Sequence, residues 1–212
     1  MATLKGEKTR QHFIKVSAEL FNTKGYAGTS IGDVVKKAGY SKGALFRTFG
    51  DKDELAIEAF KYNYGIMLGY LRNAVDHASS DIDKILAILR FYKSIPESGI
   101  MDSGCPALNT ATEADDNHPI LNQLASKAFK EVMGMIERQI KRAQKNGTFN
   151  PAVDAQKMAR FIFSTIEGSI GIGKSTQIME LMSDNIDMLE KMILQEVRKI
   201  NSFGSSRSWF QA

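Results

Sequence analysis

The stretch TSIGDVVKKAGYSKGALFRTF, residues 29–49, decides how this chain is read. Ser30 reads as a helix N-cap, and Asp33 three residues on forms a shortened capping box. Ile31, Val34 and Val35 make the inner face of a short helix. It ends at Ala38-Gly39, where Gly39 can take the positive φ of a tight turn. Ser41 caps a second short helix in which Leu45 and Phe49, four apart, point inward, and Gly50 stops it. Two short helices meeting at a glycine turn are the sequence form of a helix-turn-helix. Ser41, Lys42, Gly43, Ala44, Arg47 and Thr48 then remain on the open face. The small residues among them let the helix N-terminus lie close to a groove, and that N-terminus with the Ser41 hydroxyl favours phosphate. Arg47 can donate a pair of hydrogen bonds to a guanine edge. Lys52, at the start of the next helix, suits a backbone phosphate. A helical hairpin with no nucleic-acid role is the alternative reading of the same pattern.

Helical periodicity continues on both sides. Phe13, Ile14, Ala18, Leu20 and Phe21 share one side of a helix over 9–24, with Gly25 as its C-terminal stop. Asp51 caps a helix reaching about Asp76. Further helices are expected over 81–94, 106–113, 119–146, 154–175 and 183–200, with a loop from Pro96 to Gly104 and a frayed tail at Ser-Ser-Arg-Ser-Trp. With two short helices between residues 30 and 49, this makes about nine, and no alternating segment is long enough for a sheet. The expectation is an all-α protein: an N-terminal three-helix helix-turn-helix domain over 1–50, and a helical domain over 51–212.

A chain of 212 residues with 43% hydrophobic and 25% charged residues can build a core without disulfides. Cys105 is the only cysteine, which excludes an internal disulfide and a cysteine-built zinc site and suits a reducing compartment. No segment reads as a signal peptide or membrane span, so a cytoplasmic protein without membrane contact is expected. The net charge of +4 is unevenly placed. Residues 1–50 hold nine basic and three acidic residues, a surplus of six that leaves the remainder at −2. A basic N-terminal unit on a near-neutral body points to a polyanion partner.

The N-terminal segment resembles the tetracycline-repressor (TetR) family of bacterial transcription factors. The resemblance lies in Ala18-Glu19-Leu20-Phe21-Asn22-Thr23-Lys24-Gly25-Tyr26, Gly28-Thr29-Ser30-Ile31, Ala38-Gly39-Tyr40-Ser41-Lys42-Gly43-Ala44-Leu45-Phe46 and Phe49-Gly50-Asp51-Lys52-Asp53-Glu54-Leu55. It covers residues 9–60, and the rest is similar in architecture. It implies a homodimer that binds a palindromic double-stranded operator and releases it when a small-molecule effector binds the body. By position it implies that Thr29, Ser30, Ser41, Lys42, Ala44, Phe46, Arg47, Thr48 and Lys52 contact DNA. Phe46 departs from the family's usual tyrosine, which removes a hydroxyl that reaches phosphate. Arg47-Thr48 departs from an aromatic or polar residue followed by histidine, so the operator cannot be borrowed from relatives. The resemblance also places the last two long helices at the dimer interface. Ile162, Ile166, Ile170, Met188, Leu189 and Met192 are candidates there, with the monomer core as their alternative.

The body is less legible. Phe91, Tyr92, Ile95, Met101, Cys105, Leu108, Asn109, Phe129, Met133 and Phe163 are candidates to line a ligand cavity, against ordinary core packing. Cys105, at an expected helix start, is read either as a thiol activated by the helix N-terminus or as a small buried apolar residue. Gly168-Ser169-Ile170-Gly171-Ile172-Gly173-Lys174-Ser175 satisfies the phosphate-loop pattern, but helical spacing from Met158 to Ile170 and the lack of strands downstream argue for coincidence. His12, His77 and His118 are scattered without metal-ligand spacing, and no nucleophile and base are paired. No catalytic residue, metal or cofactor is expected. The rival reading is a helical small-molecule-binding or enzymatic protein with an incidental hairpin, which should not bind heparin or bulk DNA at low salt.

Overall fold

The computed structural model describes residues 4–98, 103–114 and 118–205. Among them lie nine helices and no strand: α1 (Leu4–Lys24), α2 (Ile31–Ala38), α3 (Lys42–Phe49), α4 (Lys52–Asp76), α5 (Asp81–Ser98), α6 (Pro106–Ala114), α7 (Pro119–Lys145), α8 (Ala155–Thr176) and α9 (Leu181–Ser205). The all-α expectation holds, and α2, α3, α4 and α6 follow the predicted spans to within two residues.

Three boundaries differ: α9 runs to Ser205 where residue 200 was expected, and the other two differ for physical reasons. The first helix begins at Leu4 rather than Thr9, because LKGEK lacks apolar periodicity yet consists mostly of good helix formers. Its first turns are held by Thr9 Oγ1 donating to the Lys5 carbonyl at 3.0 Å and Gln11 donating to Glu7 at 2.9 Å. The helix α5 runs through Pro96 to Ser98, where a loop was expected. Proline removes one amide donor, and this one sits in the last turn, where the loss costs least. The tail after Ser205 lies outside the described residues.

The chain forms two compact units. One comprises 1–68 with 103–128, and the other 69–102 with 129–212. This division does not fall at residue 50, because α6 and the start of α7 pack with the N-terminal helices. The core of the first unit joins Phe13, Ile14, Val16 and Leu20 of α1, Val34 and Ala38 of α2, Leu45 and Phe49 of α3, and Leu55 of α4. Phe13 meets Phe49 edge-on at 6.1 Å. Arg10 reaches over the Phe49 ring and pairs with Glu58 of α4 at 2.6 Å, fastening α1 to α4. The second unit is built on α9 packed against α5 and α8, with Ile186, Leu189 and Ile193 of α9, Ile85, Ile88 and Leu89 of α5 and Ile162 and Ile166 of α8 all buried. Arg142–Asp81 at 3.0 Å and Arg90–Glu190 at 3.1 Å tie its rim.

Candidate nucleic-acid interface

The turn geometry of α2 and α3 is set by their caps. Ser30 takes extended backbone, its Oγ accepts the Asp33 amide at 3.1 Å, and the Asp33 carboxylate accepts the Ser30 amide at 2.9 Å. Those hydrogen bonds hold the Asp33 carboxyl below the usual carboxylate range. Gly39 closes α2 in the left-handed region at φ 71°, donating its amide to the Val35 carbonyl. His12 of α1 donates from its ring to the Ala38 carbonyl at 3.1 Å, satisfying another carbonyl at the end of α2. Ser41 then caps α3, accepting the Ala44 amide at 3.2 Å, and the Gly50 amide ends it on Phe46.

With Leu45 and Phe49 buried, Ser41, Lys42, Gly43, Phe46 and Arg47 of the α3 segment are exposed, and Ala44 and Thr48 are half-exposed. One helix face therefore carries a free hydroxyl proton, two cations, a glycine and an accessible aromatic ring. Lys36 on α2 adds a further exposed cation, whereas Lys37 is paired with Glu19 of α1. Thr48 spends its hydroxyl on the Ala44 carbonyl at 2.8 Å.

Three carried-over positions are engaged within the protein itself. Thr29 is fully buried, and its hydroxyl donates within the α1–α2 loop, to the Gly25 carbonyl at 2.7 Å. Its side chain holds the loop and has no open surface for a phosphate. Ser30 is exposed but serves first as the cap of α2. Lys52 is half-buried; its ammonium donates to the Tyr26 carbonyl at 2.6 Å and lies 3.9 Å above the Tyr26 ring. Burial pulls its pKa down, against the opposing charges of Glu113 and Asp53. Reaching a phosphate requires Lys52 to leave that perch.

Behind this face is a joint that sequence reasoning missed. Glu113, near the end of α6, accepts the Tyr26 amide at 2.6 Å and the Ala27 amide at 2.7 Å. Gly25 makes the approach possible: its φ is +77°, and a Cβ there would sit 2.6 Å from a Glu113 oxygen. A Cβ on Gly28 would lie 2.2 Å from the Lys24 carbonyl, so the loop has no room for a side chain there either. Asn109 of α6 donates to Asn22 Oδ1 at 3.0 Å, and Asn22 donates back to the Gly104 carbonyl at 3.2 Å. Tyr26 donates its hydroxyl to Asp53. Burial, then that bond and the Asp53 and Asp51 charges, raise its pKa well above the usual phenol range. The only signal in the sequence was a lone acid in the otherwise uncharged PALNTATEA.

The pocket candidates are distributed over both units. Cys105, Leu108 and Asn109 belong to the first unit, whereas Phe91, Tyr92, Ile95, Phe129, Met133 and Phe163 belong to the second. Met101 lies outside the described residues. Phe129 and Phe163 pack edge to face at 5.8 Å, as do Phe91 and Tyr92 at 5.2 Å. Cys105 is buried immediately before α6. Among the proposed interface residues, Ile162, Ile166 and Leu189 fill the second unit's own core and have no surface left for a partner. Ile170 and Met192 are half-exposed, and Met188 is 68% exposed. Gly168 to Ser175 lies inside the continuous helix α8, which lacks the loop a phosphate cradle requires. Among the described residues, no group of three or more His, Cys, Asp or Glu is placed to hold a metal, and no helix is long and apolar enough to cross a membrane.

Residues 13–59 match the family model for bacterial regulatory proteins of the tetR family, and residues 82–187 match that for the tetracyclin repressor-like C-terminal domain. A TetR transcriptional regulator from Chloroflexus aurantiacus superposes with a TM-score of 0.87 at 31% identity, over 92% of this chain and 98% of that one. A TetR-family regulator from Cytophaga hutchinsonii gives 0.85 at 30% identity, over 93% and 98%. The uncharacterized HTH-type transcriptional regulator YxaF of Bacillus subtilis is 27% identical, over 76% of this chain and 83% of its own length. With its capped α2–turn–α3 unit and these likenesses along nearly its whole length, the chain belongs to the TetR family of helix-turn-helix transcriptional regulators.

Proposed function

We propose that this regulator represses transcription as a homodimer, with α3 of each copy in the major groove of a palindromic operator. The observation that carries this reading is the exposed face of α3. Ser41, Lys42 and Arg47 project from a helix whose opposite side is locked by Leu45 and Phe49. The Ser41 oxygen accepts the Ala44 amide, so its own proton is left for a phosphate. Arg47 is the candidate for guanine, while Lys42 and Lys52 neutralise phosphates. Two such helices reading a palindrome sit ~34 Å apart, or a multiple of that. An effector acts by favouring a spacing that no longer fits, a population shift between states.

For the dimer, α8 and α9 offer apolar surface. Phe161 is 55% and Ile172 57% exposed, and with Gly168 they lie in helical register on α8. No atom lies within 4 Å of a Cβ built on Gly168, so that face is open for close approach. Met188 on α9 adds to it. Selection of bound DNA from a random oligonucleotide pool tests the reading. A recovered palindrome is the expected result. Weak binding with no enriched motif and little salt dependence would overturn it.

A further inference from the structure

The open face of α3 carries one side chain that phosphate chemistry does not use. Phe46 is 45% exposed, the one large apolar residue of α3 left open to solvent. Its exposed neighbours on the segment are Ser41, Lys42, Gly43 and Arg47, which are polar, charged or without a side chain. A phenyl ring accepts no hydrogen bond from water worth keeping and donates none to a phosphate oxygen. It gains by withdrawing apolar surface from water, which requires an apolar group on the partner.

Helix geometry sets where the ring goes. With about 3.6 residues per turn, Gly43 and Arg47 lie opposite the buried pair Leu45 and Phe49. The Arg47 guanidinium folds back along that line, its Nη1 3.5 Å from a Cβ built on Gly43. Arg47 therefore holds the middle of the face. Phe46 is turned by ~100° toward one flank, which it shares with Lys42 four residues earlier. Helical side chains lean toward the N-terminus, so the ring covers surface beside Lys42. In a major groove the flank of a helix meets a wall. The apolar group that a base presents there is the thymine C5-methyl, on the side of the base nearest its own backbone. A ring and an ammonium on one line of α3 thus fit a thymine methyl and a phosphate of the same strand.

We propose that Phe46 is a specificity residue that reads one thymine in each half-site by its C5-methyl group, beside the base pair read by Arg47. The inference rests on the reading of α3 as the helix in the groove, and adds to it the identity of a base.

Deoxyuridine pairs like thymidine but lacks the methyl, and it tests the proposal. In the palindrome selected by the full chain, each thymine is exchanged in turn, in both half-sites together, and affinity is measured by fluorescence anisotropy at fixed salt. Exchange at one position weakens binding by about 4-fold for each methyl removed, or roughly 15-fold for the symmetric pair. This series uses the parent protein and needs no variant to fold. Phe46→Ala binds the thymine operator more weakly and no longer distinguishes the two bases at that position. Phe46→Tyr keeps the ring and keeps the distinction. Lys42→Gln weakens both operators alike. A palindrome with no position sensitive to the exchange, or a folded Phe46→Ala that still prefers thymine at the sensitive one, would overturn the proposal and leave the operator reading standing. A pool without an enriched motif would overturn both.

Discussion

Replacing Glu113 by alanine should loosen the loop that enters the helix-turn-helix. The side chain accepts two backbone amides, Tyr26 at 2.6 Å and Ala27 at 2.7 Å. A hydrogen bond to a charged group is worth about 1.5–3 kcal/mol. The Tyr26 amide is part-buried and falls near the lower end of that range. The Ala27 amide is exposed and recovers water when released, so it adds only about 0.5 kcal/mol. The expected loss is therefore about 2 kcal/mol, or a midpoint lower by about 4–8 °C for a cooperative chain of this size. Glu113→Gln should fall between, since its amide nitrogen cannot accept. Urea unfolding gives the magnitude, and hydrogen exchange gives the place: the Tyr26 and Ala27 amides should exchange faster in Glu113→Ala. A variant within about 0.5 kcal/mol of the parent, with both amides still protected, would refute the clamp.

Gly25→Ala should destabilise by more than ~1 kcal/mol, because φ is positive and the new Cβ meets Glu113; the loss should shrink in a Glu113→Ala background, and equal losses in both would mean backbone strain alone. The Glu58 carboxyl is held below its ordinary value by hydrogen bonds from Lys61 and Arg10. Its folded pKa is depressed, so its contribution is complete above the unfolded carboxylate range and fades as pH falls through the folded value. Glu58→Gln should flatten the acid limb of the stability curve, and superimposable limbs would remove Glu58 from it. Arg47→Ala should cost ~1–3 kcal/mol on operator DNA and relax preference at one base pair; an equal loss on random DNA would demote Arg47 to a phosphate contact. Lys52→Ala should lower the salt slope by about one unit, and an unchanged slope would mean that its amine stays on the Tyr26 carbonyl.

Much of the fold was legible because local signals agreed. The caps Ser30, Ser41 and Asp51 and the stops Gly25, Gly39 and Gly50 act within a few residues of themselves, and each sits where the pattern placed it. The open face of α3 followed from Leu45 and Phe49 alone. What the sequence hid was long-range. Glu113 reaches a loop 86 and 87 residues away, and nothing near it in the chain announces that loop. Thr29 illustrates the limit of carrying roles by position: its hydroxyl faces Gly25. A cavity of about 200 Å³ in the first unit, with Ala56 and Ala59 in its wall, was equally unreadable, since both have the same pattern whether they line a space or fill a core. Ile162, Ile166 and Leu189 left two readings open, and only three-dimensional burial separates an inner stripe from an outer one on an amphipathic helix.

The first unit is discontinuous, with residues 103–128 joining 1–68. During synthesis the chain emerges from its N-terminus, so the helix-turn-helix leaves the ribosome before the segment bearing Asn109 and Glu113 exists. Until residues 103–114 arrive, the α1–α2 loop has unbound amides and α1 has an uncovered flank. The head is therefore the first part made yet among the last completed. Any shortened gene ending before α6 encodes a reading head without its brace, and a graft of this head onto another protein must carry α6 along.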